Sequence, residues 1–242
     1  MKPTILITRA IEHALPTQKD VEALGCETLI DALLTIRPIV NDQPISATTG
    51  ALIITSRNAL PGLKNLINIV ELPLFVVGKE TAALCSAQGF KKIIAVAEQS
   101  ADLPRLIKLA QSPRAGGLLH VTSEHAHTDF YDALLDAGFG IEQRLVYSAD
   151  AAASFNANTL NALQSDKLWG VLFYSARTAE IFNGLIAAAT VEQNLCKLHA
   201  LCLSDAIAGM LNKAVWKTVT VAKSPTHASL MDSLRDCLAK PA

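Results

Sequence analysis

Serine, threonine and glycine recur in this chain at one kind of place, directly after a short apolar run and directly before a helical pattern. Thr8, Ser56, Gly78, Thr81, Ser100, Thr122, Ser123, Ser175, Ser204 and Thr226 all stand at such points. In a parallel α/β sheet these are the carboxyl ends of strands, where helix N-termini aim backbone amides outward and anions bind. The chemistry implied is the holding of carboxylate or phosphate by amides and hydroxyls, without many Arg or Lys. Each residue also has a plainer reading, because Ser, Thr and Gly at a strand-to-helix turn are caps and turn residues. What favours a site is their recurrence in both halves of the chain. Arg9, after the first apolar run, is a candidate carboxylate partner or a surface charge. Tyr147 offers a phenolic hydroxyl that either packs in a core or meets a ligand.

Other chemistries lack their motifs. There is no Gly-rich phosphate loop, no Gly-x-Gly-x-x-Gly and no Gly-x-Ser-x-Gly elbow, so Ser56 and Ser175 are poor nucleophiles. His120, His125 and His127 lie near Glu124 and Asp129, but their spacing matches no common metal site, and a solvated loop is the preferred reading. The five cysteines are scattered and form no Cys-x-x-Cys pair, as expected of reduced thiols. No metal and no cofactor are expected.

The elements that must position these residues come in two copies. Leu52-Ile53-Ile54-Thr55-Ser56-Arg57 is echoed by Val171-Leu172-Phe173-Tyr174-Ser175-Ala176. Phe75-Val76-Val77-Gly78 is echoed by Leu201-Cys202-Leu203-Ser204, and residues 91–96 by residues 217–222. Strands are expected at residues 4–8, 52–55, 74–77, 93–96, 117–121, 170–174, 198–203 and 218–221, each apolar enough to be buried on both faces. Helices are expected at 17–24, 81–88 and 129–137, ending at Gly25, Gly89 and Gly138. Ser224 with Pro225, and Ser100 before 101–110, read as N-caps.

Residues 32–38 and 143–148 break this rhythm. They are extended, half polar and similarly placed, and read as paired connectors. If they lie side by side the chain crosses between domains twice. The fold expected is then α/β, with two similar parallel-sheet three-layer domains joined by a two-stranded β hinge. Residues 1–35 and 149–242 would form one discontinuous domain and residues 38–146 the other, with hinge strands near 33–38 and 143–148. The alternative is a tandem split near residues 113–117. A ligand is expected in the cleft between the domains.

Half of the residues are hydrophobic and the net charge is −1, with no basic stripe, which argues against a nucleic-acid surface. No apolar run reaches the length of a membrane span, and residues 1–9 do not form an export signal. A cytoplasmic monomer acting on a small molecule is expected.

With these features in hand, the chain resembles the uroporphyrinogen-III synthase family along nearly its whole length. The resemblance is carried by Ile5-Leu6-Ile7-Thr8-Arg9, Ile54-Thr55-Ser56-Arg57-Asn58-Ala59, Val76-Val77-Gly78-Lys79-Glu80-Thr81-Ala82 with Gly89-Phe90, Val146-Tyr147, Phe173-Tyr174-Ser175 and Ala222-Lys223-Ser224-Pro225-Thr226. It implies two α/β domains joined by a ladder and a cofactor-free lyase, a cyclising hydro-lyase of haem biosynthesis acting on hydroxymethylbilane. Water leaves to give an azafulvene, ring D attacks through its substituted carbon to give a spiro intermediate, and the ring recloses inverted as uroporphyrinogen III. It also implies Tyr147 as general acid and Ser56, Thr81, Ser175 and Thr226 as substrate contacts, to which the strand-end reading adds Arg9 and Gly78. The chain departs from the family at Ser204, where relatives often show Gly, and at Ile207, which answers Thr81. Residues 159–163 contain no tyrosine, although some relatives have one there. The competing reading is a non-enzymatic two-domain module that binds an anionic small ligand.

Overall fold

The computed structural model describes residues 2–41, 43–65, 69–126 and 128–239. The chain divides into two compact units, residues 1–35 with 150–242, and residues 36–149. Each is built on a five-stranded sheet whose neighbouring strands are parallel throughout.

The continuous unit carries β4 (Thr49–Ile54), β5 (Leu74–Val77), β6 (Ile93–Ala97), β7 (Gly117–Thr122) and β8 (Ile141–Leu145), in the spatial order β6-β5-β4-β7-β8. In the discontinuous unit β1 (Thr4–Ile7) and β2 (Glu27–Ile30) join β10 (Leu168–Phe173), β11 (His199–Cys202) and β12 (Thr218–Val221), in the order β12-β11-β10-β1-β2. The two orders are the same if β10, β11, β12, β1 and β2 are matched to β4, β5, β6, β7 and β8. The echoed segments of the sequence are therefore equivalent strands, and the N-terminal β1 and β2 take the places that β7 and β8 hold in the other unit. In addition, β3 (Leu34–Pro38) and β9 (Tyr147–Ala151) form a separate two-stranded antiparallel ladder, through which the chain passes once on leaving the discontinuous unit and once on returning to it.

Alternation along the strands explains the layers. In β1, Ile5 and Ile7 face a core that includes Ala14 and Val21 of α1 (Ile11–Ala23) and Leu230 and Leu234 of α8 (His227–Leu238). Leu6 faces the opposite core, with Ala162 and Leu163 of α5 (Ala157–Gln164), Phe182 of α6 (Ala176–Ala189) and Ile207 of α7 (Asp205–Gly209). In β4, Leu52 and Ile54 pack with Ala82 and Cys85 of α2 (Lys79–Ala87), while Ile53 packs with Leu103 and Ile107 of α3 (Leu103–Ala110) and Leu134 of α4 (Tyr131–Leu135). A sheet covered on both faces needs strands that are apolar on both sides.

Several boundaries differ from the sequence reading. The edge strands β2 and β8 were not expected, because an edge strand pairs on one side only and tolerates polar residues such as Glu27, Glu142 and Gln143. Residues 143–145 accordingly belong to the sheet, and the ladder strand is Tyr147–Ala151, later than the expected 143–148. Helix α1 begins before Pro16 and continues through it. Thr226, not Ser224, caps α8. Ser100 opens a short 3₁₀ turn whose capping box is made by Gln99 and Asp102.

Candidate active site

Both strand orders contain a switch point, where successive crossovers leave in opposite directions. It lies between β4 and β7 in the continuous unit and between β1 and β10 in the other, and the crevice outside the carboxyl ends of such strands is where open α/β sheets bind ligands. The residues there are Thr55, Ser56, Thr122 and Ser123 in one unit, and Thr8, Arg9, Tyr174 and Ser175 in the other.

In the continuous unit, Ser56 Oγ accepts a hydrogen bond from the Asn58 amide at 3.2 Å, opening a 3₁₀ helix over Arg57–Asn65. Gly78, at the N-terminus of α2, has φ of +86°, a backbone state that suits glycine, and it leaves the amides of the first turn uncovered. Thr81, one turn in, is buried, and Arg57 Nη1 bonds Glu80 Oε2 at 3.2 Å. Tyr147 is only 6% exposed and belongs to the core cluster that contains Val146, Leu119 and Ile54. Of its two sequence readings, core packing is thus realised. His120 is fully buried in β7, with Nε2 3.0 Å from Thr55 Oγ1 and Nδ1 2.6 Å from Tyr131 Oη. Burial pushes its pKa down to about 4, so it is a neutral core histidine. His127 lies outside the described residues, and among the described residues no three His, Cys, Asp or Glu side chains are grouped to hold a metal. A cavity lined by Gly50, Pro73, Phe75, Gln111 and Ala115 opens at the opposite, N-terminal ends of these strands.

In the discontinuous unit, Ser175 Oγ accepts from the Thr178 amide at 3.1 Å and Thr226 Oγ1 from the Ser229 amide at 3.3 Å, so both are helix N-caps. Each such cap is worth about 1 kcal/mol, and a cap still leaves neighbouring first-turn amides open to an anion. Thr8 Oγ1 donates to the Leu172 carbonyl oxygen at 2.9 Å, tying β1 to β10. Ser204, before α7, makes no side-chain cap bond.

Arg9 lies in a cluster of polar side chains. Its guanidinium carbon sits 3.9 Å from the centroid of the Tyr174 ring, and its Nη1 donates to Thr17 Oγ1 at 3.0 Å. The Tyr174 hydroxyl is 2.7 Å from His227 Nδ1, and His227 Nε2 is 2.9 Å from Asp20 Oδ2. The Tyr174 and His227 rings stack with centroids 5.9 Å apart. Burial raises the Tyr174 pKa, opposed by a hydrogen bond from Thr17 and by the charge of Arg9. Sequence reasoning singled out Arg9, Ser175 and Thr226 but missed Tyr174, His227 and Asp20 as a group. The available signal was adjacency, since Tyr174 precedes Ser175 and His227 follows Thr226. Asp20 had none, being 207 residues from His227 in sequence.

Comparison with known proteins bears on this arrangement. The family model described as uroporphyrinogen-III synthase HemD matches residues 16–232. No curated protein sequence matches the chain. Among solved structures, uroporphyrinogen-III synthetase from Helicobacter pylori superposes with a TM-score of 0.66 at 18% identity, covering 98% of this chain and 100% of that one. A mutant uroporphyrinogen III synthase from Thermus thermophilus gives 0.63 at 12% identity, covering 99% and 100%. At these identities the likeness is one of fold, while the family match spans nearly the whole sequence. The chain belongs to the uroporphyrinogen-III synthase family, and so to the enzymes of tetrapyrrole biosynthesis.

Proposed function

We propose that this protein cyclises hydroxymethylbilane to uroporphyrinogen III with inversion of ring D, as a cofactor-independent hydro-lyase working as a cytoplasmic monomer. The family match over residues 16–232 carries this reading. The substrate is a flexible chain of four pyrroles rimmed by acetate and propionate groups. Unassisted closure joins the free carbon of ring D directly to the electrophile, so the enzyme's main contribution is to hold the chain where the substituted carbon attacks instead. First-turn amides beside Gly78, Ser175 and Thr226, together with the hydroxyls of Ser56 and Thr81 and the Arg9 guanidinium, supply contacts for the carboxylates. A proton must reach the departing hydroxyl, and Tyr147 is the proposed donor. Its near-complete burial requires that the side chain or its cover shift for the phenol to reach substrate.

The decisive experiment supplies purified protein with enzymatically generated hydroxymethylbilane and determines the product isomer. Type III product is expected without added metal or nucleotide, and type I alone would overturn the reading. In the same assay Tyr147→Phe should lower kcat with little change in thermal stability. An unaltered rate would remove Tyr147 from the mechanism.

A further inference from the structure

The Tyr174–His227–Asp20 chain has a defined polarity. Asp20, as a carboxylate, can only accept, so with a neutral imidazole the proton sits on His227 Nε2. His227 Nδ1 then carries a lone pair, and the hydrogen bond of 2.7 Å with Tyr174 runs from the phenol to the imidazole. A hydroxyl that donates to a histidine held by a carboxylate is the arrangement by which a weakly acidic oxygen becomes a base, its own proton passing to the imidazole as it takes up another. Arg9, over the ring face, stabilises negative charge growing on the phenol. Tyr174 stands at the end of β10, at the β1–β10 switch point, beside the Ser175 cap. It is partly exposed, as are His227 and Asp20, so both substrate and water can reach the chain. Tyr174, His227 and Asp20 are not among the proposed substrate contacts or the proposed proton donor.

The cyclisation itself calls for a base. It expels one water and nothing else, so the proton that leaves with the hydroxyl must be balanced by one that the substrate surrenders. That proton is on ring D. When the free carbon of ring D bonds to the methylene carbon of the azafulvene on ring C, it briefly holds both its hydrogen and the new bond. Resting on the reading proposed above, we infer that Tyr174, oriented by His227 and Asp20, is the base that removes this proton. The C–H electron pair returns to the pyrrole ring and the proton goes to the Tyr174 oxygen. The phenolic proton moves to His227 Nδ1, and the imidazolium formed pairs with the Asp20 carboxylate until it gives the proton to water. Tyr174 touches substrate; His227 and Asp20 are positioning residues.

The test uses the intact protein and hydroxymethylbilane carrying deuterium on the free carbon of ring D. Wild-type protein should give the type III isomer, and Tyr174→Phe should lower kcat about 10²-fold with KM nearly unchanged. A primary deuterium effect should emerge in the variant as proton removal becomes limiting. His227→Gln and Asp20→Asn, at the more exposed end of the chain, should shift kcat and the deuterium effect in the same direction with the fold intact by thermal unfolding. A change in KM alone would mean that the cluster only binds carboxylate and would overturn the inference. So would folded variants of all three residues with wild-type kcat and no deuterium effect, which would leave the cyclase reading standing. Wild-type protein that yields only type I product would defeat the cyclase reading and this inference together.

Discussion

Two hydrogen-bonded histidine groups of this chain contrast, one that builds the core and one that stays reachable. His120 is of the first kind. Itself fully buried, it ties Thr55 at the end of β4 to Tyr131 in α4, edge-on to the Phe130 and Tyr131 rings. Its folded-state pKa of about 4 lies below the usual 6.5, and burial is the cause. Between those values the unfolded chain binds a proton that the folded chain refuses, so His120 favours folding fully above pH 6.5. That contribution fades as pH falls through the window, by about 3 kcal/mol in all. Unfolding by urea at pH 7 and pH 5 should show a loss of stability that is larger in wild type than in His120→Gln. Equal losses in the two proteins would disprove a buried neutral histidine. Tyr174, His227 and Asp20 are of the reachable kind. Their grouping was not legible in the sequence because it depends on a fold that brings α1, the end of β10 and the start of α8 together from positions 53 and 207 residues apart. Ser175 and Thr226 were legible as strand-end hydroxyls, and the capping role given as their plainer reading is the one their side chains perform.

At the scale of elements, what the sequence makes legible is what is buried twice. Residues 74–77 and 218–221 coincide with β5 and β12, and the other expected strands fall within two or three residues of observed ones, because continuous apolar runs admit few other environments. The edge strands β2 and β8 escaped notice because their polar faces look like connectors. The 3₁₀ helix Arg57–Asn65 escaped too, since its pattern resembles the α-helix that follows Ser175 in the other half. Its form has a reason in packing. A Cβ on Gly62 would lie 2.0 Å from the Val146 carbonyl oxygen, the same oxygen that accepts from the Ile39 amide. Glycine lets this segment lie against the junction of β8 and β9, directly before Tyr147. Gly62→Ala must push the two apart, and overpacking of this kind costs about 3 kcal/mol. The variant should show a correspondingly lower urea midpoint with its m-value retained. A wild-type midpoint would mean that the segment moves aside at no cost and does not fix the backbone next to Tyr147.

For the whole molecule, the match of strand orders turns a sequence repeat into a statement about how the chain is divided. The continuous unit closes its sheet with its own β7 and β8. The discontinuous unit closes its sheet with β1 and β2, so residues 150–242 alone hold three strands and lack the neighbour that covers one side of β10. Ile5, Leu6 and Ile7, all fully buried, are part of the two cores that flank this sheet. A fragment of residues 150–242 should therefore remain unfolded, with no cooperative thermal transition. Residues 33 and 152 are already hydrogen-bonded, Ala152 N to Leu33 O at 3.0 Å, so the two chain segments run close together where they leave the unit. A short Gly-rich linker that joins Thr35 to Asp150 in place of residues 36–149 should restore a folded five-stranded unit. Residues 36–149 expressed alone should fold as well, because every strand of their sheet is internal to them. Circular dichroism and thermal unfolding of the three proteins separate the possibilities. A cooperative transition in the 150–242 fragment without β1 and β2, or none in the linked protein, would show that the N-terminal strands are not what completes this sheet.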